Sequence, residues 1–341
     1  MKSYLEKMLN RESLTIEEMK AAATSCFADT TSESELAAFL TALRAKGETP
    51  EEIAGLVEVI RAESSQTSNV LTNVMDNCGT GGDGSYSFNI STTAAFVIAG
   101  AGVTVAKHGN RSISSKTGSA DVLEHLGISL DLQKEHMEQI LQENQIAFLF
   151  APNVHKGMKR FMKVRQDLRI PTVFNIIGPL TNPVALDTQL IGVYRRDLLP
   201  MIAETLHQLG RKRALVINGA GYMDEASLAG ENYLSLMEKG KVINFTVHPS
   251  ELDLPVYTNE EIKGGNAKEN AEILLNVLNG KPGAYYDTVL LNAGLGLYAN
   301  GVAATMKAGV DMARESIVSG AALEKLNRLK AYSKKIPSGV I

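Results

Sequence analysis

The sequence predicts an α/β protein in two parts, a small all-helical domain followed by a larger α/β domain with a mostly parallel central sheet flanked by helices. Three observations carry this reading. The 341 residues exceed what one hydrophobic core comfortably organises, so two domains are expected. Residues 1 to about 70 repeat helix-start signals. Beyond them short apolar runs alternate with amphipathic stretches, the order that lays helices on a parallel sheet.

Taken in order, the first part shows its helix starts most clearly. Thr15-x-x-Glu18, Ser32-x-x-Glu35 and Thr49-Pro50-x-Glu52 are capping boxes, the last with proline at the first helical position. Leu36, Phe39, Leu40 and Leu43 follow the second box, and Ile53, Leu56, Val57 and Ile60 the third, each as an apolar stripe at helical spacing. No chemistry is visible there, and the block reads as a domain that packs on a neighbour or on a second subunit. The polar segment 62–69 reads as a hinge or linker. Strands are then expected at 103–105, 146–150, 189–193, 214–217, 243–247 and 288–291, with helices at 91–100, 119–126, 197–209, 268–279 and 303–318. Asn73-Val74-Met75-Asp76-Asn77-Cys78 makes a poor strand.

Bulk properties exclude several classes of function. A net charge of −4 argues against a general nucleic-acid or membrane-surface binder, so useful cations must be placed locally. The two cysteines, Cys26 and Cys78, lie far apart in sequence and suggest a reducing compartment. The N-terminus lacks the apolar core of a signal peptide and no stretch is long enough to span a bilayer, so a soluble, cytoplasmic protein is expected.

The most telling stretch is Gly79-Thr80-Gly81-Gly82-Asp83-Gly84, followed by Asn89-Ile90-Ser91-Thr92. Closely spaced glycines let backbone N–H groups approach an anion, and the helix opening at Ser91 adds the positive end of its dipole. Such a site wants phosphate. Gly79-x-Gly81-x-x-Gly84 also satisfies the dinucleotide fingerprint, but the context fails. The preceding strand is poor, no helix starts directly after Gly84, and about 20 residues on, where an acid should meet the ribose, Gly102-Val103-Thr104-Val105 is neutral. No Gly-Lys-Ser/Thr closes the loop as a Walker motif would. Asp83 would repel a pyrophosphate unless a metal ion or a ribose hydroxyl met it.

A second loop supplies side chains. Lys107, His108, Asn110, Arg111, Ser112, Ser114 and Ser115 lie around Gly109 after the expected strand at 103–105, and suit phosphate and hydroxyl contacts. Thr117-Gly118-Ser119 then caps another helix. Asp224-Glu225 follows the 214–217 strand. Alone such a pair is usually surface, but beside a phosphate site it could hold Mg²⁺, which takes few carboxylates and completes its shell with water and phosphate. Arg165 is one charge on a helix, His155 a loop histidine, and nothing identifies a general base.

Together these motifs resemble the anthranilate phosphoribosyltransferase family. The resemblance runs through Ser32-Glu-Ser-Glu-Leu-Ala-Ala-Phe-Leu40, Asn77-Cys-Gly-Thr-Gly-Gly-Asp-Gly84, Phe88-Asn-Ile-Ser-Thr92, Lys107-His-Gly-Asn-Arg111 and Gly118-Ser-Ala-Asp-Val-Leu-Glu124. It continues with Phe174-Asn175, Gly178-Pro-Leu-Thr-Asn-Pro183, Met223-Asp-Glu225 and Leu291-Asn-Ala-Gly294. It implies transfer of a phosphoribosyl group from phosphoribosyl pyrophosphate to anthranilate, with pyrophosphate released, on the fold of the class II nucleoside phosphorylases. It implies donor binding by Gly79, Gly82, Asp83, Ser87, Asn89, Ile90, Ser91, Thr92, Lys107, His108, Gly109, Asn110, Arg111, Ser112, Ile113, Ser114, Ser115 and Ser119. Anthranilate would meet Gly79, Asn110 and Arg165, and one or two Mg²⁺ ions would sit at Ser91, Asp224 and Glu225. The domains implied are 1–70, joined by helices from about 156–183, and an α/β domain of 71–155 with 184–341. A homodimer through the helical domain is expected, with no nucleic-acid or membrane partner.

The chemistry this implies needs no strong base, because an aromatic amine is unprotonated near neutrality. His108 is a contact or a late proton acceptor. Three stretches depart from the family pattern: His155-Lys156-Gly157-Met158-Lys159 in place of His-Pro-Ala-Met-Lys, Leu168-Arg169-Ile170-Pro171-Thr172 in place of Leu-Gly-Ile-Arg-Thr, and Asn218-Gly219 in place of His-Gly. The first two border the expected anthranilate channel. Two rivals share the fold: a pyrimidine nucleoside phosphorylase, with less use for a paired-acid Mg²⁺ site, and a non-catalytic nucleic-acid-binding relative, which would be basic with eroded acids.

Overall fold

The computed structural model describes residues 1–64, 71–111, 116–131 and 134–335. Four helices open the chain: α1 (Lys2–Leu9), α2 (Ile16–Phe27), α3 (Glu33–Lys46) and α4 (Pro50–Ala62). All three expected capping boxes form, with Thr15, Ser32 and Thr49 each accepting the N–H of the glutamate three residues on and receiving its carboxylate in return. Both expected apolar stripes are buried. Of the expected linker, 62–64 end α4, and 65–69 lie outside the described residues.

The chain then alternates: β1 (Val74–Gly79), α5 (Ile90–Gly100), β2 (Thr104–Gly109), α6 (Ser119–His125), α7 (Lys134–Asn144), β3 (Ile146–Phe150), α8 (Ala151–Val154), α9 (Lys159–Leu168), β4 (Thr188–Gly192), α10 (Leu199–Gln208) and β5 (Arg213–Asn218). A hairpin of β6 (Asn232–Glu238) and β7 (Lys241–Val247) follows, then α11 (Ala267–Leu278), α12 (Ala284–Asn300), α13 (Met306–Val318) and α14 (Ala321–Lys335). The strands form one seven-stranded sheet in the order β3-β2-β1-β4-β5-β6-β7. Its first five strands are parallel, and β6 and β7 extend it antiparallel. The chain leaves β1 toward β2 and β3, then returns to β4 on the other side of β1. Ligands of open α/β sheets bind at such a reversal, beyond the carboxyl ends of the strands.

Two hydrophobic cores cover the sheet. One joins α5, α11, α12, α13 and α14 to it, and α5 is apolar almost all round because it is buried among them. The other joins the N-terminal helices to α10, to Phe161 and Val164 of α9, and to Ile191, Ala214 and Val216 of β4 and β5. No helix of the described residues is long and apolar enough to cross a membrane.

Four expectations are corrected. The 288–291 run is the middle of α12, not a strand; this helix is buried on nearly every side and therefore shows no helical period. The stretch dismissed as a poor strand is β1, near the centre of the sheet, with Asp76 and Asn77 buried inside it. The strand expected at 103–105 runs on to Gly109, so Lys107 and His108 sit on its carboxyl end and not in a loop. Finally, β6, α7 and α14 were not expected, whereas the helix expected to carry Arg165 forms as α9.

Candidate active site

Beyond the carboxyl ends of β1, β2, β4 and β5 lies a cavity of about 1100 Å³, closed on its far side by α9. Every described residue expected to bind donor, acceptor or metal lines it: Gly79, Gly82, Asp83, Ser87, Asn89, Ile90, Ser91, Thr92, Lys107, His108, Gly109, Asn110, Arg111, Ser119, Arg165, Asp224 and Glu225. Ser112, Ile113, Ser114 and Ser115 lie outside the described residues.

The glycine loop does what its sequence requires. Gly81, Gly82 and Gly84 adopt φ of 70°, 82° and 71°, a region costly for residues with a Cβ. Thr80 N–H is taken by the Gly192 carbonyl at 2.9 Å and Gly81 N–H by Asp224 Oδ2 at 2.6 Å. The amides of Gly82, Asp83 and Gly84 have no protein partner among the described residues. Asn89 does not cap α5 with its side chain; it donates to the Thr117 carbonyl and accepts from Asn270. In the first turn of α5, Ile90 N–H goes to the Phe88 carbonyl at 2.7 Å and Ser91 N–H to Glu225 Oε1 at 3.2 Å, which leaves Thr92 N–H without a protein partner among the described residues.

Asp224 and Glu225 sit on a loop clamped from several sides. Asn292 of α12 grips the next peptide twice, accepting Ala226 N–H and donating to Ala226 O, both at 2.9 Å. Asp83 Oδ2 lies 3.4 Å from Asp224 N, which brings a third carboxylate to the cluster. Burial, then the charges of Asp83 and Glu225, hold the Asp224 carboxyl well above its usual range. Burial likewise pushes Glu225 up to about 7, against the pull of Lys107. Carboxyls whose charged form is disfavoured by burial and by one another are short of a cation, and hard oxygen donors suit Mg²⁺. Among the described residues no three acidic, histidine or cysteine side chains converge as a closed metal cage. An ion here would therefore draw on water and phosphate oxygens, as Mg²⁺ does.

Cations border this wall. Lys107 is buried and donates to the Asn77 carbonyl at 2.6 Å. Arg111 is engaged by Asp121 and Glu124 at 2.8 and 2.6 Å, so a phosphate would have to compete with two carboxylates. On α9, Arg165 stacks over Phe174 with its guanidinium 5.4 Å from the ring centroid and lies 3.4 Å from Met162 Sδ. It has no acid partner among the described residues, and burial lowers its pKa. A half-buried, unpaired guanidinium is a site for an anion.

His108 is buried against His155, ring centroids 5.2 Å apart, and its Nε2 has no partner among the described residues. Burial, reinforced by His155, pushes His108 down to about 3, and burial pushes His155 down to about 4. Neutral imidazoles of such low basicity are poor proton acceptors, which leaves His108 as a contact. Both rings would be protonated below about pH 6.5 in the unfolded chain but neutral when folded, so their contribution is complete above that pH and is lost as pH falls toward 4 and then 3. Over the same range the raised carboxyls of Asp76, Asp224 and Glu225 take up protons on folding and act in the opposite sense, so the histidine share is read as the difference between wild type and variant. His155→Gln should lower the slope of stability against pH between about pH 6.5 and 4 by about one proton, roughly 1.4 kcal/mol per pH unit; an unchanged slope would refute the assignment.

Comparison with known proteins decides between the rival readings. Over 97% of both chains, this sequence is 59% identical to the anthranilate phosphoribosyltransferase of Exiguobacterium sibiricum. The chain belongs to the anthranilate phosphoribosyltransferase family. The enzyme of Oceanobacillus iheyensis is 58% identical over 98% of this chain and 99% of its own. Residues 2–64 match the glycosyl transferase family helical bundle domain, and 71–323 the glycosyl transferase family a/b domain. The crystal structure of the anthranilate phosphoribosyltransferase of Thermus thermophilus superposes with a TM-score of 0.92 at 39% identity, covering 97% of this chain and 99% of that one. The Saccharomyces cerevisiae enzyme in complex with PRPP and Mg gives 0.89 at 30% identity, covering 98% of each. Sequence reasoning missed Asp76 and Asn182, buried behind the cavity. The one visible signal of Asp76 was polarity where a buried strand should be apolar, and Asn182 showed only as part of the Gly178–Pro183 motif.

Proposed function

We propose that the protein transfers the 5-phosphoribosyl group of phosphoribosyl pyrophosphate to the amine of anthranilate, giving N-(5-phosphoribosyl)anthranilate and pyrophosphate, the second step of tryptophan biosynthesis from chorismate. One observation carries this reading: a single cavity holds open amides, Lys107 and a carboxylate cluster on the sheet side, and an unpaired, half-buried Arg165 on α9. The donor is assigned to the glycine loop, Ser87, residues 89–92, 107–115 and Ser119. Ser91, Asp224 and Glu225 would hold Mg²⁺, which when bound neutralises charge on the departing pyrophosphate.

The chain's own groups account for the rest. The anthranilate amine, neutral near pH 7, attacks C1 of the ribose; one C–N bond forms, the C–O bond to pyrophosphate breaks, and the amine proton passes to solvent. The amides of Gly82, Asp83 and Gly84 and the first turn of α5 stabilise the leaving group without reorganising. The planar fork of Arg165 takes the anthranilate carboxylate in a way lysine would not. Holding both substrates in one cavity turns the encounter into a near-intramolecular step.

The test is to mix protein, phosphoribosyl pyrophosphate, Mg²⁺ and anthranilate and follow anthranilate fluorescence. Mg²⁺-dependent loss with equal pyrophosphate release supports the reading; donor binding without loss reopens the acceptor. Arg165→Ala should raise the anthranilate KM about a hundredfold and the donor KM less than about threefold. Equal rises would remove Arg165 from the acceptor site. We also assign 1–70 with 156–183 to a helical domain through which two copies pair, and 71–155 with 184–341 to the donor-binding domain. Phe161, Val164 and Ile177 share one core with Phe39 and Leu56, which supports grouping 156–183 with the N-terminal helices; that core also takes in α10 and residues of β4 and β5, so it bridges the two domains. Two free thiols support a reducing, cytoplasmic setting.

A further inference from the structure

The ladder between β1 and β2 stops almost as soon as it starts. Val74 pairs with Thr104 and Met75 with Val105, and there it ends. Yet β1 goes on pairing with β4 as far as Gly79, and β2 with β3 as far as Gly109. Past Met75 the two strands no longer pair, and side chains take over hydrogen bonds that backbone would have made. His108 N–H donates to Asp76 Oδ1 at 3.2 Å. Asn182 Nδ2 donates both to the Ala106 carbonyl at 2.8 Å and to Asp76 Oδ2 at 3.0 Å. Asn182 Oδ1 accepts Val184 N–H at 3.0 Å, which fixes the orientation of the amide. Both side chains are fully buried. A buried carboxylate and amide are tolerated because each polar atom is met.

We propose that Asp76 and Asn182 form a wedge that holds β1 and β2 apart, sets the distance between the glycine loop and the 107–110 segment, and so positions the phosphoribosyl-donor site. This rests on the donor assignment above. Neither residue lines the cavity, so both are positioning residues. The donor subsite is built from the carboxyl ends of the two parted strands, whereas Arg165 stands on α9 and is independent of their spacing. An apolar pair at these positions would let the strands zip together and close the crevice.

Asp76→Asn keeps shape but offers one acceptor to two donors, so its NH₂ must face either His108 N–H or the NH₂ of Asn182, which cannot flip without losing Ala106 and Val184. Asn182→Ala removes the other half. Binding of phosphoribosyl pyrophosphate with Mg²⁺ is measured by calorimetry without anthranilate, and both KM values by turnover, on protein whose melting shows it folded. Either variant should raise the donor Kd and KM at least about tenfold and leave the anthranilate KM within about twofold. The double variant should be no worse than the stronger single, since the pair acts as a unit. Simple destabilisation would instead lower kcat with the donor Kd unmoved, and that result overturns the wedge, as do equal rises in both KM values or losses that multiply. If Asp76→Asn does not fold, Asn182→Ala decides alone. Wild-type protein that binds no donor refutes the donor assignment; wild-type that binds it while the variants bind equally well refutes only the wedge.

Discussion

Asp224→Asn combined with Glu225→Gln should reduce Mg²⁺-dependent kcat/KM by at least about a thousandfold while making the metal-free protein no less stable than wild type. The two effects have one cause. Burial and the neighbouring Asp83 charge hold both carboxyls above their usual range, so in the metal-free protein they oppose folding. Amides of the same shape relieve that repulsion and can still accept from Gly81 N–H and Ser91 N–H. What they lose is charge to offer a divalent cation. Wild-type protein should therefore melt higher as Mg²⁺ is added, following the mass-action law for a ligand of the folded state, and the double variant should not respond. Thermal melts across a Mg²⁺ titration, with turnover measured alongside, check both halves. Undiminished Mg²⁺-dependent turnover would remove the pair from the metal site.

The readable parts of this chain were those whose physics is local. A capping box needs only residues three apart, and all three N-terminal boxes form as the spacing of Thr15, Ser32 and Thr49 implied. The glycine loop was readable for the same reason: left-handed backbone at Gly81, Gly82 and Gly84 is a property of a few consecutive residues. What was hidden depends on partners far away in sequence. Asp76 made β1 look unlike a strand because its satisfaction comes from Asn182 and His108 N–H, more than 30 residues off. Residues 288–291 looked like a strand because α12 is buried between α5 and α13 and has no exposed face to give it a period. Arg165 showed as one charge among many on α9; only the fold reveals that its neighbours Lys163 and Arg160 are engaged by α3 and by the turn before it.

Gly192→Ala should lower turnover by about a hundredfold or more although residue 192 offers no functional group. Gly192 ends β4, pairs with Gly79 across the sheet, and accepts Thr80 N–H at 2.9 Å. Its φ is not one that demands glycine, so space alone decides. A Cβ there would fall 1.5 Å from the Asp224 carbonyl oxygen and 2.4 Å from its carbonyl carbon, backbone atoms that cannot swing aside as a side chain can. Nor can the acid loop retreat. A Cβ at Gly219 would come within 2.1 Å of Glu225 O, so the loop is packed as closely against β5, and Asn292 holds Ala226 by both its N–H and its carbonyl. Alanine at 192 must therefore either displace the Asp224 peptide or part β4 from β1, at a cost of about 1–3 kcal/mol in stability. In both cases the carboxylates shift relative to the glycine loop, and misplacement on the scale of an ångström costs about a hundredfold in rate. The Mg²⁺ concentration for half-maximal turnover should rise with it, which loss of stability alone would not produce. A folded Gly192→Ala protein with wild-type turnover and Mg²⁺ response would show that the acid loop is more compliant than this packing implies.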